Sequence, residues 1–174
     1  MKLGMLIGLI EEKMRVLSFD QASAKSGFAL YDDGKLVDHG VIAVKEKDAA
    51  LKLNIMFAEI ANKIEENTPD LVVIEGTALQ SNAYSLIMLA QLQGMIVGYC
   101  YKKNVEYKIV GATTWRKALG FRQGPKVARK ELKAQAKELA LKLVNEDKKV
   151  TEDEADAICI GYACVSNKSI LGGN

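Results

Sequence analysis

Two kinds of hydrophobic pattern alternate along the chain. Residues 14–20, MRVLSFD, form a short apolar run that stops on a carboxylate, and Leu71–Glu75, LVVIE, repeats that plan. The second run is apolar at every position before its acid, which predicts a central strand covered on both faces. Residues 26–31 alternate weakly and run into Asp32-Asp33-Gly34, a strong hairpin signal. Residues 35–44 are then a third strand, and the first three form an antiparallel meander. Residues 47–66 carry Leu51, Ile55, Ile60 and Ile64 at near-helical spacing, widened by Met56 and Phe57, and Thr68-Pro69-Asp70 breaks that helix. A long apolar helix spans 82–102, residues 105–110 are a fifth strand, and residues 111–125 read as a glycine-containing loop. Gly124-Pro125 then opens a basic helix running from Lys126 to about Val144, with proline in its first turn. The last helix starts near Thr151, where Thr151 and Glu154 fit a capping box.

The order β-β-β-α-β-α-β-α-α predicts an α/β fold. Its mixed five-stranded sheet would join the three-strand antiparallel meander to two parallel strands, with helices on both faces. A chain of 174 residues, 49% hydrophobic and 26% charged, fits one domain with a real core. Residues 14–170 are expected to be that domain and residues 1–13 an N-terminal extension. The apolar run in 1–13 meets Glu11, Glu12 and Lys13 without a small-residue cleavage site, so no secretory leader is expected. Helix 82–102 approaches a membrane span in length, but Ser85, Gln91, Gln93 and two glycines favour a buried helix instead.

Composition narrows the chemistry. Cys100, Cys159 and Cys164 sit in apolar surroundings without CxxC spacing, so they read as reduced thiols of a cytosolic compartment rather than a disulfide frame or zinc site. His39 is the single histidine, and its setting between Asp38 and Gly40 reads as a turn or strand end, not a catalytic base. The formal charge of +2 hides an asymmetry: residues 101–149 hold fourteen Lys/Arg against five Asp/Glu, while the remainder holds ten against seventeen. Such a basic block suits a polyanion or, equally, a solvated lysine-rich helix face.

The acids carry the sharper signal. Asp20 and Glu75 end two apolar strands, and Asp153 and Asp156 lie three apart on one face of the last helix, with Glu152 bordering that face. An acid ending a strand is ordinarily a turn residue, and acids in a first helical turn ordinarily satisfy the helix dipole. Four of them gathered at one place would repel unless a cation bridged them. Hard oxygen ligands with no neighbouring His or Cys favour Mg²⁺ or Mn²⁺ over zinc.

Phe19-Asp20 with Gly27 seven residues after the acid, Val72-Val73-Ile74-Glu75, and Asp153-Glu154-Ala155-Asp156-Ala157 resemble the three acidic motifs of RuvC-type Holliday junction resolvases. These belong to the ribonuclease H-like nuclease superfamily, and the likeness runs from about residue 14 to 165, closer to compact phage-encoded members than to the cellular enzyme. The resemblance implies that Asp20, Glu75, Asp153 and Asp156 hold two Mg²⁺ ions, with Mn²⁺ as a substitute, for phosphodiester hydrolysis. It sets Arg116 and Lys126 beside the cleaved backbone, with Lys126 in a catalytic role at a helix N-terminus. Lys117, Arg129, Lys130 and Lys133 would join them in binding nucleic acid. It further implies branched DNA as partner, a homodimer through helix 82–102, no membrane, and the cytoplasm of a bacterial or phage-infected cell.

Two departures touch specificity. The resolvases' aromatic three residues after the second acid is Ala78 here, and their Asp-Pro-Gly after the first strand is Asp20-Gln21-Ala22. Alternative readings are a related nuclease of flaps, forks or RNA–DNA hybrids, a non-catalytic junction-binding protein, and an actin-like ATPase. The last lacks a second glycine-rich phosphate loop followed by Asp.

Overall fold

The computed structural model describes residues 13–77, 82–144 and 149–170. Strands β1 (Arg15–Asp20), β2 (Lys25–Asp32) and β3 (Lys35–Ala43) form the expected meander, turned between β2 and β3 by Asp33 and Gly34, both at positive φ. Strands β4 (Leu71–Glu75) and β5 (Glu106–Val110) extend the sheet in parallel on the other side of β1, giving the order β3-β2-β1-β4-β5. The two strands that end on acids therefore lie side by side at the sheet centre. Phe19 is in register with Ile74, one residue before each carboxylate.

Strand alternation divides the core in two. Leu17, Phe19, Phe28, Leu30, Val72 and Ile74 face α1 (Ala49–Asn67) and α2 (Ala83–Lys103). Val16, Ala29, Tyr31, Leu71 and Val73 face α5 (Glu152–Ser166), together with α3 (Ala112–Ala118) and α4 (Arg129–Val144). Helix α5 lies across β1 and β2 and is tied to them by buried hydroxyls. Ser18 Oγ donates to the Ala157 carbonyl at 2.8 Å, and Tyr31 Oη donates to the Ile158 carbonyl at 2.7 Å. At Gly161 a side chain would collide with Ser18 Oγ and the Tyr31 ring, so only glycine lets the helix sit this close.

The structure departs from the sequence pattern in several places. The stretch read as a loop contains α3, because fully buried Trp115 anchors a seven-residue helix of about two turns to the core. The basic helix begins at Arg129, not Lys126. Gly124 takes φ 130°, and Val127 N–H donates to the Gly124 carbonyl, so Pro125 and Lys126 lie in a turn ahead of the helix. In α1 the buried stripe is Leu53, Met56, Ile60 and Ile64, while Leu51 is exposed. Helix α2 is less buried than its composition suggests. Leu92, Ile96 and Cys100 enter the core, but Tyr84 and Ile87 in its first turns are more than half exposed. By length and composition α2 could cross a membrane, yet it rests against α1 and the sheet. The three cysteines are free and buried, and burial pushes the Cys100 thiol up to about 11, far from a reactive thiolate.

Candidate active site

The two central strands deliver their acids to one place by simple parity. Asp20 shares a face with Val16 and Ser18, and Glu75 shares one with Leu71 and Val73, so both carboxylates belong to the α5 side of the sheet. Gly27 pairs with Asp20 across the β1–β2 ladder. A Cβ there would overlap the Asp153 carbonyl, so the absence of a side chain lets the first turn of α5 settle beside Asp20. Gly27 lies inside β2.

The start of α5 is held firmly. Thr151 and Glu154 complete the capping box that the sequence predicts. Buried Glu154 also pairs with His39 of β3, with Oε1 and Nδ1 2.5 Å apart. This contact spans 115 residues of sequence and left no periodic trace. His39 thus serves the geometry of α5 rather than the end of a strand.

The acids act on one another electrostatically. Asp20 is held well above the usual carboxylate range, first by burial and then by the charges of Glu75, Asp156 and Asp153, against a smaller opposing effect of Lys133. Burial also raises Glu75, with Asp156 adding to the rise while the Trp115 hydrogen bond, Arg116 and Lys133 oppose it. Asp156 is raised by burial and Asp153 and steadied by Lys133 and Arg116. Glu152 is exposed at the first position of α5, whereas Asp153 is half-buried beside the others.

Two side chains occupy the acids between them. Lys133 of α4 forms an ion pair with Asp156 in a largely buried setting. Burial opposes the Lys133 charge, but Asp156, Asp20 and Asp153 together keep its pKa above that of an ordinary lysine. Trp115 Nε1 donates to Glu75 Oε1 at 2.8 Å. Arg116 stacks on the Trp115 ring, with its guanidinium carbon 4.8 Å from the ring centroid. Of the basic residues singled out in the sequence, Lys133 and Arg116 act on the acids, while Lys117, Lys126, Arg129 and Lys130 are exposed on α3, the following turn and the start of α4. Ala78 lies outside the described residues.

Among the described residues no three Asp, Glu, His or Cys groups converge as a ready-made metal cage. The donor set nevertheless fits a hard divalent cation. Asp20, Glu75 and Asp156 are each raised by burial and by the charge of neighbouring carboxylates, and Lys133 is their close counter-charge.

Comparison with known proteins settles the lineage. Residues 16–164 match the family model described as Crossover junction endodeoxyribonuclease RuvC. The chain belongs to the RuvC family. Similar curated relatives are the RuvC of Geotalea uraniireducens, 28% identical with 92% of each chain covered, and that of Geobacter sulfurreducens, 26% identical with 91% of this chain and 95% of the relative covered. The fold is similar to that of T. thermophilus RuvC in complex with Holliday junction substrate, with TM-score 0.71, 12% identity, and 90% and 96% of the two chains covered. It is also similar to the yeast mitochondrial Holliday junction resolvase Ydc2, with TM-score 0.59, 17% identity, and coverage of 91% and 80%. As a RuvC-family chain it is a hydrolytic, metal-dependent nuclease with a ribonuclease H-like fold.

Proposed function

We propose that this RuvC-family chain resolves four-way DNA junctions as a homodimer, through paired Mg²⁺-dependent phosphodiester hydrolysis at Asp20, Glu75, Asp153 and Asp156. The observation that carries the reading is the pairing of Asp20 and Glu75 at adjacent strand ends, with the acidic start of α5 set against them by Gly27. Two bound Mg²⁺ ions would supply an activated water and stabilise charge on the leaving oxygen. The chain's own contribution is to aim the four carboxylates, while Lys133 and Arg116 oppose the rise that burial imposes on Glu75 and Asp156.

Lys133 opposes the rise that burial imposes on Asp156, and it is the cation best situated to meet phosphate charge as the backbone approaches. Arg116, stacked on Trp115, presents a second cation near Glu75 and Asp156. Lys126 is assigned to nucleic-acid contact with Lys117, Arg129 and Lys130, since it no longer has a helix N-terminus to reinforce an anion. These exposed bases would track phosphates and make affinity fall with salt. The dimer would use the uncovered first half of α2, beside a groove lined by Leu53, Tyr84, Met88 and Met95.

The test is incubation with a labelled four-way junction, a fork and a linear duplex, each with Mg²⁺, Mn²⁺ or EDTA. Symmetric nicks in the junction, dependent on metal and absent in Asp20→Asn and Glu75→Gln, are expected. Cleavage confined to the fork would transfer the activity to a flap or fork nuclease. Full activity in both variants would remove the metal assignment.

A further inference from the structure

Glu75 is gripped more completely than any other acid of the site. Its backbone N–H donates to Gln21 Oε1 at 3.2 Å, and its carbonyl accepts from Gln21 Nε2 at 2.6 Å. The Gln21 amide thereby acts as one further rung between β1 and β4, beyond the last register pair Phe19 and Ile74. Gln21 is buried, so this rung is shielded from competing water. The Glu75 carboxylate is held separately, with Oε1 accepting from Trp115 Nε1 at 2.8 Å.

Trp115 is the chain's single tryptophan and is fully buried. Its ring is fixed from two sides, by the Arg116 guanidinium on its face and by Phe121 edge-on at 5.9 Å between centroids. An indole has one donor and no acceptor, so a ring fixed in this way can only point that donor at Glu75 Oε1. That hydrogen bond engages Oε1 and leaves Oε2 as the oxygen open to a cation. A carboxylate fixed in this way offers one oxygen in a set direction, whereas a free one could rotate and ligate through both.

We propose that Trp115 and Gln21 are positioning residues that lock Glu75 as a one-oxygen metal ligand, and that they thereby set the affinity of the site for divalent metal. The inference rests on the reading of Asp20, Glu75, Asp153 and Asp156 as the metal ligands. A purely structural account is available: a buried indole needs an acceptor, and Glu75 is nearby. The two accounts differ in what happens to the metal.

The experiment titrates Mn²⁺ into DNA-free protein by calorimetry and by the loss of its free electron-spin-resonance signal, for wild type, Trp115→Phe, Gln21→Met, Phe121→Leu and Asp20→Asn. Trp115→Phe keeps a buried aromatic ring but removes the donor together with part of the indole's volume; Phe121→Leu loosens the same packing and keeps the donor. Melting temperatures are recorded for all five. The expected result is that Trp115→Phe and Gln21→Met each weaken Mn²⁺ binding roughly tenfold or more, while Phe121→Leu, which keeps the donor, lowers the melting temperature and weakens Mn²⁺ binding less than Trp115→Phe does. Junction binding in EDTA stays as in wild type. Wild-type affinity in both Trp115→Phe and Gln21→Met, or equal weakening in Phe121→Leu, would overturn the proposal while leaving the metal site in place. If wild type and Asp20→Asn bind Mn²⁺ alike, the metal site itself is wrong and the positioning role falls with it.

Discussion

Gly27 stands against the main-chain carbonyl of Asp153 so closely that one methyl group would overlap it. The same glycine pairs with Asp20 on its other edge. One missing side chain therefore fixes the separation between a strand-borne and a helix-borne acid. Gly27→Ala is expected to push α5 outward, at a cost of about 1–3 kcal/mol from overpacking. Urea unfolding should show the loss, and cleavage should fall further than stability does, because α5 carries two of the four carboxylates.

The ion pair between Lys133 and Asp156 yields a metal-dependent prediction. Its side chains are 18% and 5% exposed, so removing the lysine leaves a carboxylate buried without its partner. Lys133→Met should destabilise the metal-free protein by about 3 kcal/mol. A divalent ion replaces the missing positive charge, so Mn²⁺ should raise the melting temperature of the variant more than that of wild type. An equal rise in both would mean that lysine and metal act at separate places.

Stability should also depend on pH in an unusual direction. Asp20, Glu75 and Asp156 all have carboxyl pKa values raised in the folded protein, chiefly by burial. The folded state then holds more protons than the unfolded chain once pH rises past the ordinary carboxylate value of about 4. Their contribution is full below that pH and is lost as pH climbs through the raised folded values. In EDTA the urea midpoint should therefore decline from mildly acidic toward neutral pH. With Mn²⁺ the trend should flatten or reverse, since metal binds the ionised forms.

The exposed start of α2 makes the oligomeric state testable. Ile87 is 53% exposed on an apolar helix. Ile87→Glu should shift light-scattering mass from dimer to monomer while Mn²⁺ binding persists. Paired cuts in one junction should then become single nicks.

Strands and acids were legible because each obeys a short-range rule. The apolar runs ending on Asp20 and Glu75, the Asp33-Gly34 turn and the Thr151 capping box are all written within a few residues of themselves. The basic block was legible as charge, but not which of its members reaches the acids: Lys133 meets Asp156 only because α4 packs on α5. Helix α3 escaped notice since seven residues are too few to display a period, and its stability comes from Trp115 in the core. The Gln21 rung and the His39–Glu154 pair join residues 54 and 115 apart, where no local pattern can report them.

The placement of α5 has a consequence for the cell that makes this protein. Asp20 and Glu75 are synthesised early, but Asp153 and Asp156 arrive only with the helix that crosses β1 and β2. A nascent chain still on the ribosome, or one cut short before α5, carries Asp20 and Glu75 without Asp153 and Asp156, and an uncovered sheet face. An enzyme that breaks DNA would thus stay harmless until α5 has been made and docked, and fragments that lack it would be inert toward the chromosome.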